Sequence, residues 1–153
     1  DIPNTVRKTI KEISNFNVSM TTIHLHGGRD MIEASIESSQ GTKIIGVSIL
    51  TSLNDTDMNE IYGSHFNDQF SRAINLAKIT DIDGIVCSPK ELIQLKDLNK
   101  IKVVPGIRNK ASNDDQKRTM SSSEAYKNGA DFIVVGRPIT EADNIKEAIL
   151  DYT

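Results

Sequence analysis

The stretch FIVVGRPIT, Phe132 to Thr140, decides the fold class. Four consecutive apolar residues, Phe132, Ile133, Val134 and Val135, read as a strand buried on both faces, the pattern of a parallel sheet covered by helices. The run stops at Gly136-Arg137-Pro138, which combines a backbone free of side chain, a fixed cation and a rigid turn. In α/β proteins the C-terminal ends of the strands are where ligands sit. A glycine lets an anion approach the backbone N–H groups, and an arginine fork matches phosphate oxygens in a bidentate way. The competing reading is a plain strand-to-helix turn with a surface arginine.

Working outward, the same rhythm recurs along the chain. Strands are expected at Met20 to His24, Lys43 to Leu50, Gly84 to Cys87 and Lys102 to Val104. Helices are expected at Val6 to Ile13, Asp30 to Ser38, Met58 to Tyr62, Asn67 to Thr80, Ser88-Pro89 to about Leu95, Glu124 to Asn128 and Asp143 to Tyr152. Pro3 is expected to precede the first helix, with Asn4 or Thr5 as its cap, and Ser122 or Ser123 is expected to cap the helix before Gly129. Asn109 to Thr119 is polar and without periodicity. Strand followed by helix, five times over, requires a parallel sheet with helices outside. Gly-rich or hydroxyl-bearing loops follow every strand: HGG, LTS, CSP, PGIR and GRPIT. A doubly wound sheet gathers its ligand loops at one switch point, whereas a TIM (β/α)8 barrel spreads them around one rim, and the spread favours the barrel. A full barrel takes roughly 250 residues. These 153 residues are therefore expected to form one incomplete barrel domain, about strands 4–8 with their helices. The start at Asp1-Ile2-Pro3, without Met and without a strand ahead, fits the interior of a longer barrel.

Bulk properties narrow the function. A net charge of -3 with both signs mixed along the chain argues against a nucleic-acid groove or a membrane surface. Aromatic residues are 5% and Trp is absent, so base-stacking platforms are not expected either. No apolar run approaches the roughly 20 residues of a membrane span, and no signal peptide is read. The single cysteine, Cys87, excludes an internal disulfide, fits a reducing cytoplasm, and lies in an apolar run as a small buried hydrophobe rather than a nucleophile.

The second strand-end constellation is Pro105-Gly106-Ile107-Arg108. Barrels frequently build a phosphate site from the loops after their last two strands. Arg108 and Arg137 then flank a phosphate pocket, with Gln116 as an amide donor from the polar loop. Thr51 ends an apolar strand and either faces the rim or caps the next helix. His24 and His26 have acceptable metal-ligand spacing, but no third ligand of good type is near, so no metal site is expected. Asp55, Glu91 and Asp143 fit caps and first helical turns. The residues supply a phosphate grip and no evident acid or base at the rim.

DIPNTV at 1–6, HGG at 26–28, LTS at 50–52, GIVCS at 84–88, VVPGIR at 103–108, DDQ at 114–116 and VVGRPIT at 134–140 occur in the order and approximate spacing of bacterial orotidine 5'-phosphate decarboxylase, which the whole chain resembles. The resemblance implies a homodimeric barrel that converts orotidine 5'-phosphate (OMP) to UMP and CO2 without a cofactor. In that family a D-x-K-x-x-D motif lies on and after the third strand. Its lysine protonates C6 of the pyrimidine, and its last aspartate reaches into the partner's site. Asp1 matches that last aspartate, and Ile2 and Thr5 match the neighbours that touch the pyrimidine and ribose. Thr51 resembles the threonine near the base, and Pro105, Arg108, Gln116, Gly136 and Arg137 resemble the phosphate clamp. The lysine and first aspartate have no counterpart here. The chain is therefore expected to be inactive alone, acting with a complementing N-terminal segment or surviving as a non-catalytic, nucleotide-binding remnant. A phosphosugar epimerase-like barrel shares the phosphate grip, but DIPNTV argues against it.

Overall fold

The computed structural model of the chain describes residues 1–109 and 119–153. Five strands alternate with helices in the expected order. The chain divides into two compact units, one of Asp1–Ile49 and Leu53–Val86, the other of Leu50–Ser52 and Cys87–Thr153.

In the first unit, α1 (Pro3–Ser14), β1 (Met20–His24), α2 (Arg29–Glu37), β2 (Lys43–Val47), α3 (Asp55–Tyr62), α4 (Phe66–Ile79) and β3 (Gly84–Val86) follow one another. Pro3 does not precede α1; it stands in the first turn, with Ile2 at the N-cap and no side-chain cap bond. The missing N–H is harmless there, because the first helical donors have no partner inside the helix. The strands pair in parallel, with Met20 opposite Lys43, His24 opposite Val47 and Val47 opposite Val86. Asp83 pins this register from both ends of one residue. Its carboxylate accepts the Ile44 N–H at 2.8 Å, and its own N–H donates to the Ile44 carbonyl at 3.1 Å. Ile23, Leu25, Ile32, Ile44, Ile45 and Phe70 are buried. Asn54 caps α3 through the Thr56 and Asp57 N–H groups, and Asp57 returns the bond to the Asn54 N–H, a reciprocal box. Asp55 accepts the Phe66 N–H at 2.7 Å, so the expected capping carboxylate ties the start of α4.

The second unit contains α5 (Pro89–Leu92), running on into a 3-10 turn at Ile93–Leu95, then β4 (Ile101–Val104), α6 (Ser122–Lys127), β5 (Phe132–Ile133), α7 (Arg137–Thr140) and α8 (Ile145–Leu150). The Ser88-Pro89 start stands as expected. Buried Glu91 accepts the Ser88 N–H at 2.8 Å and the Ser88 hydroxyl at 2.5 Å. Ser121, not Ser122 or Ser123, caps α6. It lies three residues before Glu124, and that spacing closes a capping box, with the Ser121 hydroxyl donating to the Glu124 carboxylate at 2.6 Å.

β4 and β5 pair in parallel, with Val103 opposite Phe132 and Val104 opposite Ile133. The expectation that FIVV is buried on both faces is corrected. Phe132 is 47% and Val134 48% exposed, and the strand itself is two residues long. β5 is the last strand in the sheet order, so its side chains lack a neighbour on one side. β2, β3 and the closing helix are also shorter than the sequence reading, β1 matches it, β4 begins one residue earlier, at Ile101, and α7 is an additional turn that the reading treats as loop. Among the described residues, no helix is long and apolar enough to cross a membrane.

Candidate functional site

The strand-end loops of the second unit carry most of the candidate residues. Gly106 adopts φ 77, a left-handed conformation that favours glycine, and turns the chain between Pro105 and Ile107. Ile107 is buried and forms an isolated parallel bridge with Met120. Arg108 follows it, half-buried; its N–H donates to the Met120 carbonyl at 2.9 Å and its Nη1 to the Ile107 carbonyl at 2.8 Å. At the end of β5, Val134 extends the ladder by donating to the Val104 carbonyl at 2.9 Å. Gly136 is exposed, and among the described residues a Cβ placed on it would meet nothing within 4 Å. Arg137 opens α7, half-buried, with its φ-compatible neighbour Pro138 in the first turn. Thr51 lies in a turn and belongs to the same compact unit as both arginines.

The structure thus gathers Thr51, Pro105, Arg108, Gly136 and Arg137 into one unit and places Asp1, Ile2 and Thr5 in the other, at the start of α1. All three of the latter are exposed, and the Thr5 carbonyl accepts the Thr9 hydroxyl at 3.0 Å. Gln116 lies outside the described residues. The arginines that follow Gly106 and Gly136 bring to successive strand ends a guanidinium chemistry that matches an oxyanion with several acceptor oxygens.

Cys87 is 1% exposed, and burial, with Glu91 beside it, pushes its thiol up to about 12. It is a packing residue, as expected. His26 stacks on Tyr62 with ring centroids 5.1 Å apart. Burial and then the nearby His24 lower its pKa, against a side-chain hydrogen bond with Gln69 that raises it. Gln69 also donates to Ser64 Oγ at 2.7 Å. No motif announces this His26–Tyr62–Gln69 contact, since the three residues come from separate elements. Among the described residues, no three His, Cys, Asp or Glu side chains come together to hold a metal ion. Asn109, read from the sequence only as the first residue of a polar stretch, bonds to α6 and to the C-terminal turn.

A parallel α/β sheet whose strands alternate with helices along the chain defines a barrel-type α/β class of protein. Residues 1–152 match the family model for orotidine 5'-phosphate decarboxylase / HUMPS. The orotidine 5'-phosphate decarboxylase of Wolbachia pipientis is 41% identical over 150 residues, 94% of this chain and 66% of that protein. That of Ehrlichia chaffeensis is 41% identical over 160 residues, 99% of this chain and 68% of that protein. The crystal structure of orotidine 5'-phosphate decarboxylase from Lactobacillus acidophilus superposes with a TM-score of 0.81 at 30% identity, covering 99% of this chain and 71% of that one. The chain belongs to the orotidine 5'-phosphate decarboxylase / HUMPS family. It spans about two thirds of the length of the curated relatives it matches. Its fold is that of a truncated TIM barrel, represented by five strands with their helices.

Proposed function

We propose that this chain is the phosphate-gripping part of an orotidine 5'-phosphate decarboxylase, acting in pyrimidine biosynthesis. The observation that carries the reading is the pair of strand-end loops, Pro105 to Arg108 and Gly136 to Arg137, held in one compact unit. In this reading Arg108, Gln116, Gly136 and Arg137 bind the phosphate of OMP or UMP, Pro105 shapes the loop, and Thr51 lies near the base. Asp1, Ile2 and Thr5 serve the site of a partner copy in a homodimer, the whole forms one barrel domain, and the protein is cytoplasmic. The reaction takes no cofactor, because the electron pair left at C6 is quenched by a proton from a lysine. No residue of the 153 corresponds to that lysine. A grip at the phosphate still contributes to such a reaction, since binding energy from a remote group is used to orient the reacting one.

Titration with UMP tests the clamp. Arg137→Ala is expected to weaken binding by about 1.5–3 kcal/mol, the worth of charge-assisted hydrogen bonds to one phosphate. Unchanged affinity would remove Arg137 from the site. Following OMP by its absorbance tests the chemistry: the 153-residue chain is expected to show no turnover above background. Clear turnover would refute the assignment of proton donation to a lysine outside it.

A further inference from the structure

Asn109 follows Arg108 directly. Its carboxamide oxygen accepts the Ser122 N–H at 2.8 Å, at the first turn of α6. Its amide nitrogen donates to Ser122 Oγ at 3.1 Å and to the Asp151 carbonyl oxygen. Its backbone N–H donates to Tyr152 Oη at 3.4 Å. Asp151 and Tyr152 form the turn that ends α8. One residue earlier, the Arg108 N–H is bound to the Met120 carbonyl at 2.9 Å. The backbone on both sides of the Arg108 side chain is therefore fixed, on one side by Met120 and on the other by α6 and the C-terminal turn.

A carboxamide offers two donors and an acceptor on one plane, so a single side chain can join three segments that no backbone ladder connects. A local turn would need only one of these bonds. The bonds to Asp151 and Tyr152 reach across 42 and 43 positions of sequence, which a loop-closing role does not require. An arginine that must find its orientation on binding loses affinity to the entropy of ordering, whereas one held beforehand does not.

We propose that Asn109 is a positioning residue that locks Arg108 to the C-terminal turn and so presents its guanidinium to a phosphate monoester in one orientation. The inference rests on the phosphate reading of Arg108 and Arg137. The test is UMP titration by calorimetry of the unaltered chain, Asn109→Ala, Arg108→Ala, Arg137→Ala and the Asn109→Ala/Arg108→Ala double variant. Asn109→Ala is expected to weaken UMP binding about tenfold, as the loss of one well-formed hydrogen-bonded support. Because Asn109 acts through Arg108, it is expected to add nothing once Arg108 is alanine. A role in stability alone would instead give the same loss in both backgrounds and would overturn the proposal. So would full affinity in Asn109→Ala while Arg137→Ala still weakens binding. If the unaltered chain does not bind UMP, or if neither arginine matters, the phosphate reading itself fails, which is a separate outcome. Should Asn109→Ala melt too low to titrate, Tyr152→Phe serves the same comparison. It removes one bond and is expected to give a smaller loss, again absent in Arg108→Ala; equal losses in the two backgrounds would count against the proposal.

Discussion

Cys87 shows how a single residue can look reactive and be inert. It precedes the Ser88-Pro89 loop at a strand end, where nucleophiles are found, yet its thiol is buried and pushed up to about 12. The thiolate is the reactive form, so alkylation by iodoacetamide at pH 8 is expected only after unfolding. The same shift has a sign for stability. The folded thiol holds its proton more tightly than the unfolded one, so its contribution is whole below about pH 9 and is lost as pH rises toward about 12. Chemical denaturation across that window is expected to show a steeper fall in stability for the wild type than for Cys87→Ala. Parallel curves would place the thiol in water. Arg108 and Arg137 are the contrasting case, since each is only half-buried at a strand end.

At the scale of the element, β2 depends on what it lacks. A Cβ on Gly46 would come within 2.4 Å of Leu25 Cδ2, 2.8 Å of Leu25 Cγ and 2.9 Å of Ile82 Cδ1. Both side chains are buried and have little room to move. Gly46→Ala is therefore expected to cost about 1–3 kcal/mol by overpacking, although alanine has the better backbone entropy. A urea midpoint equal to that of the wild type would show that Leu25 repacks freely. β5 has the opposite character. Its apolar residues announce a buried strand, but Phe132 and Val134 stand almost half exposed on an element two residues long.

On the scale of the whole molecule, exposed apolar side chains concentrate late in the chain. Phe132, Val134, Ile145, Ile149 and Leu150 are all exposed. A last strand with unpaired groups and large apolar neighbours invites association. Sedimentation velocity is expected to show species heavier than the 16.9 kDa chain, increasing with concentration. Leu150→Lys, at the most exposed of these positions, 72%, is expected to reduce them. A single monomeric boundary at all concentrations would show that these exposed side chains do not drive association.

The sequence by itself determined the alternation of strands and helices, the strand-end loops and the family. Those features are local, written in runs such as KIIGV and motifs such as PGIR and VGRPIT, and periodicity or turn chemistry reveals them without a partner. It also identified Cys87 as packing and Glu91 as a cap, because each follows from its immediate neighbours. The tertiary structure decided what depends on distant residues. Burial of Phe132 and Val134 required a neighbouring strand that apolar composition cannot guarantee. The close approach of Gly46 to Leu25 and Ile82, the His26–Tyr62 stack, and the reach of Asn109 to Asp151 and Tyr152 all join positions far apart in the chain. Hydrophobicity and hydrogen-bonding capacity are properties of a residue, but burial and satisfaction are properties of the surroundings that folding supplies.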